Sequence, residues 1–217
     1  MSIIRKIKAF FSAKEENLSA KLAQIGYFDL ITNKEKLQFI KEKINSNYLN
    51  AENDYSEGGW LIIPNDYYVS SQLNIYEYSS NSSTSDFRGF EVWGEDLYEQ
   101  NLESYLQSAK TVFETHGLLL NWENERFEDI TGIEIHHIIT INSEEYIVFS
   151  GDPTYEIILQ YIKSLATILN DVIKKQNKEL EIITVTQHEA YCYFILADPT
   201  MKSHLHNILK KTNNQII

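Results

Sequence analysis

Between Ile133 and Ile141 apolar character falls on every second residue. Ile133, Ile135, Ile139 and Ile141 share one side with His137, while Glu134, His136 and Thr140 occupy the other. Only an extended strand puts alternate residues on one face. Asn142-Ser143 supplies a two-residue turn, and Tyr146–Phe149 returns as the second strand of a hairpin. The period then changes. Gly151-Asp152-Pro153 opens a helix, with Asp152 as N-cap and Pro153 at its first position. Its apolar stripe runs through Ile157, Ile158, Tyr161, Ile162, Leu165, Leu169, Val172 and Ile173, wide enough to cover a sheet. A hairpin followed directly by a sheet-covering helix commits this part of the chain to an α+β arrangement.

The flanking sequence extends the pattern. Residues 99–115 form an amphipathic helix that turns Leu102, Tyr105, Leu106, Ala109, Val112 and Phe113 inward and stops at Gly117. A short strand, 118–122, is expected next, and the carboxylate-dense stretch 121–130 follows. Leu180–Thr186 and Ala190–Leu196 read as strands, the second apolar on both faces and therefore central. Asp198-Pro199 caps a last helix over 199–210. Asp-Pro-Thr occurs at both 152–154 and 198–200, and N-cap chemistry accounts for it without a duplication. Earlier in the chain, 60–63, 73–78 and 87–93 are strand-like, with a Ser-rich loop at 79–86. Helices are expected over 14–25 and 33–48, the second with Asn33 as N-cap. The expected architecture is a mixed, mainly antiparallel sheet covered by helices (residues 51–217), preceded by an α-helical N-terminal extension (residues 1–50).

Composition removes several function classes. The 217-residue chain has one Cys, which leaves no disulfide framework and no Cys₄ or Cys₂His₂ zinc site. No apolar run approaches the ~18 residues of a membrane span. The opening MSIIRKIKAFFS lacks the apolar centre and cleavage site of an export signal, so a reducing, cytoplasmic compartment is expected. Residues 3–11 place Ile3, Ile4, Ile7, Phe10 and Phe11 opposite Arg5, Lys6 and Lys8. Such a stripe either docks on a core or lies on an anionic membrane surface.

Charge is the feature that speaks to function. The net charge is −12, but residues 51–160 alone hold 21 acidic and three basic residues, while both ends are mildly basic. This balance disfavours nucleic acid as a partner, because phosphate affinity rests on Lys and Arg. Two readings are open: a solvated surface, neutralised in part by the basic ends, or a field that captures a cationic partner.

Signatures of common enzyme chemistry are absent. The sequence has no P-loop, no GxGxxG, no GxSxG, no HExxH and no EF-hand loop. Adjacent His136 and His137 point to opposite faces of a strand, and His204 and His206 lie roughly 200° apart on a helix, so neither pair chelates one metal. A site built from His136, Asp152 and His188 would require convergence in space. Cys192, among Tyr191, Tyr193 and Phe194, reads as a small core residue with a raised pKa. No catalytic residue, metal ligand or cofactor is assigned.

Aromatic residues beside acids are the better candidates. Trp93 with Glu95, Asp96 and Glu99, and Trp122 with Glu123, Glu125, Glu128 and Asp129, set rings within negative charge. Aromatic anchors with a charged rim are what a protein-binding surface uses. The bland alternative is that the two Trp residues are core residues at strand ends.

The order of elements carries a resemblance. Phe87-Arg88-Gly89-Phe90-Glu91-Val92-Trp93-Gly94-Glu95-Asp96-Leu97 precedes a helix that ends at His116-Gly117. The hairpin with Ile141-Asn142-Ser143-Glu144-Glu145-Tyr146, the long helix with Ile168-Leu169-Asn170 and a strand–helix close follow. Over roughly 120 residues this layout is similar to that of bacterial immunity proteins of polymorphic toxin systems. The resemblance implies a small, acidic, cytoplasmic, non-catalytic protein whose partner is a basic toxin domain. The competing expectation is a carboxylate/His metal-dependent hydrolase assembled from distant positions.

Overall fold

A strand that is apolar on both sides must be covered twice, and Tyr191–Ala197 meets this condition: Cys192 through Ala197 are all buried. The computed structural model describes residues 18–35, 37–42, 88–93, 97, 102–152, 157–188, 191–209 and 215–216. The expected stripe at 3–11, the strands at 60–63 and 73–78, the loop at 79–86 and Pro153 lie outside these residues. Contacts divide the chain into two units, Met1–Pro64 and Asn65–Ile217.

In the first unit, helix α1 (Leu18–Gln24) ends where the sequence places its stop. Gly26 takes φ +72°, its N–H reaches Ala23 O at 3.1 Å, and the Tyr27 N–H reaches Leu22 O at 3.0 Å. These two bonds satisfy carbonyls that the last helical turn leaves open. Residues 34–35 and 37–42 are helical, and the Leu37 N–H bonds Asn33 O at 2.9 Å, as an N-cap at Asn33 requires.

The second unit runs β1 (Gly89–Trp93), α2 (Leu102–Thr115), β2 (Trp122–Asp129), β3 (Ile135–Ile141), β4 (Glu144–Gly151), α3 (Ile157–Lys175), β5 (Glu181–His188), β6 (Tyr191–Ala197), α4 (Pro199–Leu209) and β7 (Gln215–Ile216). The strands form two sheets, ordered β1-β6-β5-β7 and β2-β3-β4, and every pairing is antiparallel. The fold is α+β, with helices over antiparallel sheet as the patterns predict.

Strand β6 is central. Its even-numbered residues Cys192, Phe194 and Leu196 join Phe90, Val92 and Ile182 in a core shared with α2 and α3. Tyr193, Ile195 and Ala197 are buried on the other side, where α4 packs against β6 and contributes buried Met201 and Leu205. Each such aliphatic side chain contributes about 1.5–3 kcal/mol by leaving water. Gly89 pairs with Ile195 on this strand. A Cβ there would overlap both the Phe194 carbonyl oxygen and the Tyr193 ring, so the close strand approach requires glycine. Asp198 caps α4, accepting the Met201 N–H at 2.8 Å.

Helix α3 contacts both sheets, through β4 and β5, and buries Tyr161, Ile162, Leu165, Ile168, Leu169, Val172 and Ile173. Two of its amides also hold backbone. Asn170 accepts the Ile182 N–H at 2.6 Å and donates to Ile182 O at 3.1 Å, occupying β5 where β7 does not reach. Gln176 does the same for Leu119, at 2.8 and 2.9 Å. Residues 118–121, expected as part of a strand, are therefore held largely by side chains. The Asn142 side chain adds two more bonds, accepting the Asn121 N–H at 3.0 Å and donating to Leu119 O at 3.1 Å, and its backbone N–H bonds Asn121 O at 2.9 Å. The strand begins instead at Trp122 and turns the predicted hairpin into a three-stranded meander.

Helix α2 closes as expected. Gly117 at φ +68° lets its own N–H bond Glu114 O at 3.0 Å and the Leu118 N–H bond Phe113 O at 2.9 Å. The β3–β4 turn is the two-residue type, with Asn142 and Ser143 both at positive φ (48° and 70°).

Candidate interaction surface

Among the described strands β2 lies at a sheet edge, and its sequence, WENERFED, holds four carboxylates and one base. A regular strand starting from the core-facing Trp122 would send Glu125 outward. Instead, the register slips between Glu123 and Arg126, and Asn124 takes φ +54°. Two residues then face one on β3, and the strand resumes with its parity reversed. Phe127 now lies opposite His137, and Glu125 turns toward the same ring.

The bulge thus builds a polar contact at the edge of the core. His137 is fully buried, and its Nε2 lies 2.9 Å from Glu125 Oε1, while Nδ1 lies 3.1 Å from the Tyr161 hydroxyl. In the neutral ring Nε2–H donates to the carboxylate, which can only accept, and Tyr161 donates to Nδ1. Phe127 stacks on the imidazole at 4.1 Å, and Phe149 stacks on Tyr161 at 5.0 Å. Both ring nitrogens are engaged, so the imidazole offers no free nitrogen to a substrate. His136 is half-buried and points the other way, as the strand period predicts. Among the described residues no group of three or more His, Cys, Asp or Glu side chains is arranged to hold a metal.

The other carboxylates of β2 are exposed. Arg126 is shared between Glu128 at 2.8 Å and Glu145 on β4 at 2.7 Å, and these two hydrogen bonds raise its pKa further. The one cation of the strand is therefore already neutralised. Glu123 and Asp129 are exposed, and Asp129 accepts the Gly132 N–H at 2.6 Å in the turn before β3. Trp122 is half-buried against the core, with Lys110 Nζ 5.8 Å from its ring centre. Trp122 thus packs on the core and remains partly exposed. Trp93 ends β1 opposite Tyr191, in the other sheet from Trp122. Glu95, Asp96 and Glu99 lie outside the described residues.

Sequence reasoning did not find a second cluster at the end of α3. Lys175 bridges Asp171 at 2.6 Å, Glu144 on β4 and the Tyr146 hydroxyl at 3.1 Å. Tyr146 donates to Asp171 at 2.7 Å. Bonding to Asp171 first, then to Glu144 and Tyr146, raises the Lys175 pKa. The same Lys175 contact, with the Tyr146 hydroxyl second, lowers that of Asp171. Burial raises that of Tyr146. The i, i+4 spacing of Asp171 and Lys175 was the available signal. This cluster borders a pocket of about 570 Å³ between the start of β2, the β3–β4 turn and the end of α3. Cys192 is a core residue: its thiol lies 3.7 Å from Val92 O, and burial pushes its pKa up.

No protein-family model, no curated protein and no solved structure matches this chain. Among the described residues, no helix is long and apolar enough to cross a membrane.

Proposed function

We propose that this chain is a non-enzymatic, cytoplasmic binding protein, an immunity protein that neutralises a basic toxin domain by direct contact. The observation that carries this reading is strand β2. Among the described strands it lies at a sheet edge, with exposed Glu123, Glu128 and Asp129, and its lone arginine is bound by Glu128 and Glu145. The net −18 of residues 51–160 extends the same sign along the sequence. A surface of one sign steers an oppositely charged partner and sets its orientation, while aromatic side chains beside it supply contact area. Trp122 and Phe127 stand at those positions. The sequence's resemblance in layout to immunity proteins is the ground for taking the partner to be a toxin domain.

Low-salt affinity capture from source cells, followed by mass spectrometry, selects the partner, and stopped-flow association of the purified pair decides. The association rate is expected to fall by roughly tenfold or more between low and physiological salt. The variant Glu123→Gln/Glu128→Gln/Asp129→Asn should lower it several-fold at low salt, and addition of the wild-type chain should abolish the toxin's activity. A rate indifferent to both salt and the variant would overturn the proposal.

A further inference from the structure

The register of the meander decides which side chains share its outer face. Ile139 and Ile141 enter the core, so Ile138 and Thr140, one residue out of phase on β3, face away from it. Arg126 on β2, Ile138 on β3 and Ile147 on β4 form one row of that face. Glu128 lies opposite His136, and Glu145 lies opposite Thr140. The two carboxylates therefore stand at diagonal corners, to either side of the row, and Ile138 is midway between them. The Arg126 guanidinium binds both, Glu128 through Nε at 2.8 Å and Glu145 through an Nη at 2.7 Å. It thus spans β3 across Ile138. Ile138 is only 3% exposed although it lies outside the main apolar core, whereas Ile147 beside it is half-exposed. The bonds that hold the arginine are weak anchors, because all three side chains are open to water, which screens such pairs.

We infer that Arg126 is a displaceable strap over the docking face of the meander, and that an arginine of the cationic partner takes its place between Glu128 and Glu145. This rests on the binding reading above and deepens it by naming the face, the group recognised and the residue that covers it. The chain's own guanidinium shows what the site accepts: a planar fork whose N–H groups reach two carboxylates at once, which a compact ammonium does less well. Exchanging one guanidinium for another keeps the ion pairing balanced. The gain lies beneath. Once Arg126 swings out, Ile138 and Ile147 form a continuous apolar row that the partner covers, with carboxylates as its rim. Glu123, opposite Thr140, belongs to the same face, so three carboxylates meet one arginine there and the face stays negative with the strap open. A second copy of the chain would bring the same sign against it and is disfavoured.

The test uses the full chain with ¹³C-labelled isoleucine methyl groups, assigned by the loss of each signal in Ile138→Val and Ile147→Val. A neutral gadolinium chelate in the solvent should broaden the Ile147 methyl of the wild type and spare that of Ile138. In Arg126→Gln the Ile138 methyl should relax several-fold faster. The binding probe is N-acetyl-leucyl-arginine amide, with its citrulline counterpart as the uncharged control. The arginine probe should shift the Ile138 signal saturably, with a dissociation constant on the order of millimolar for so small a ligand. Citrulline should bind at least several-fold more weakly. Arg126→Gln should bind the arginine probe roughly fivefold more tightly than the wild type, because it removes the competitor. Arg126→Lys, which keeps the charge and loses the fork, should fall between the two. Lys163→Gln deletes one positive charge from the exposed side of α3 and should change the affinity by about twofold or less. Adding Glu128→Gln/Glu145→Gln to Arg126→Gln should abolish the gain. An Ile138 methyl equally shielded without Arg126, an Arg126→Gln affinity no better than the wild type, or an equal gain from Lys163→Gln would each overturn the inference. The two proposals fail separately. Partner association that depends on salt and on β2 charge, with no gain in Arg126→Gln, removes the strap alone. A gain in Arg126→Gln, with partner association indifferent to salt and to β2 charge, removes the docking reading.

Discussion

The two sheets of this fold solve the same covering problem differently. The four-stranded sheet is buried on both sides: Phe194 faces the α2–α3 core, and Ile195 faces away from it and is equally inaccessible. Among the described residues, helices cover the meander on one side, and on the other only Ile138 is buried. Ile139, Ile141 and Phe149 enter the core, while Ile147 remains 49% exposed beside the Arg126–Glu145 pair. The difference also shows in regularity. The meander carries a register slip on each side of β3, whereas the four-stranded sheet carries one, between Thr186 and His188 at the end of β5, and β1 and β6 pair without interruption. The slip in the doubly covered sheet sits at a strand end, whereas those in the half-open one fall within the strands. The slips are also where its polar chemistry sits, since the β2 bulge is what brings Glu125 to His137.

Truncation on the two sheets gives the largest test of this contrast. Phe194→Ala should cost about 3–5 kcal/mol, because it empties a ring-sized volume in a fully packed region. Ile147→Ala should stay within about 0.5 kcal/mol. Urea denaturation of both variants measures the difference. Comparable losses would mean that the meander's outer face is covered as fully as β6, which would undercut its role as a surface.

An intermediate effect is expected within the meander itself. Glu125→Ala leaves the buried His137 Nε2–H without its acceptor and should cost about 1–3 kcal/mol. Glu128→Ala, which removes only an exposed partner of Arg126, should cost no more than about 1 kcal/mol. If the two variants were equally stable, the bulge would have no structural purpose, and Glu125 would rejoin the other β2 carboxylates as a free surface charge.

The contrast also explains what could be read from the sequence. The apolar run of β6, the Asn142-Ser143 turn, the α3 stripe and the Asp198 and Gly117 caps are local signals, and each element formed where they place it. Strand β2 was not legible as a strand. Its bulge breaks the period of two midway, so Trp122 and Phe127 share a face despite an odd separation. Residues 118–121 misled for the opposite reason: they look like a strand, but most of their partners are the side chains of Asn142 and Gln176, distant in sequence. The candidate surface was partly legible. Trp122 and Glu123 stand out as an aromatic beside an acid, yet the pocket they share with Ser143 and Tyr146 exists only once β2, the β3–β4 turn and α3 converge. His137 lay in plain view on an apolar face, and only the fold shows which carboxylate meets it.

The smallest effect concerns the pocket rim and is a matter of sign with pH. The Lys175 ammonium and the Tyr146 hydroxyl hold the Asp171 carboxyl below its ordinary range. A carboxylate with a lowered folded-state pKa contributes stability above its unfolded pKa, near 4, and loses that contribution as pH falls through the folded value. Asp171→Asn should therefore be less stable than the wild type at pH 7, and the gap should close as the pH drops below about 4. The gap should be well below that of Glu125→Ala, because the Asp171 and Lys175 side chains are 40% and 45% exposed, and water screens such pairs. Denaturant midpoints of the two proteins at pH 7 and near pH 3 measure it. A gap that persists unchanged into acid would show that Asp171 acts through packing rather than charge.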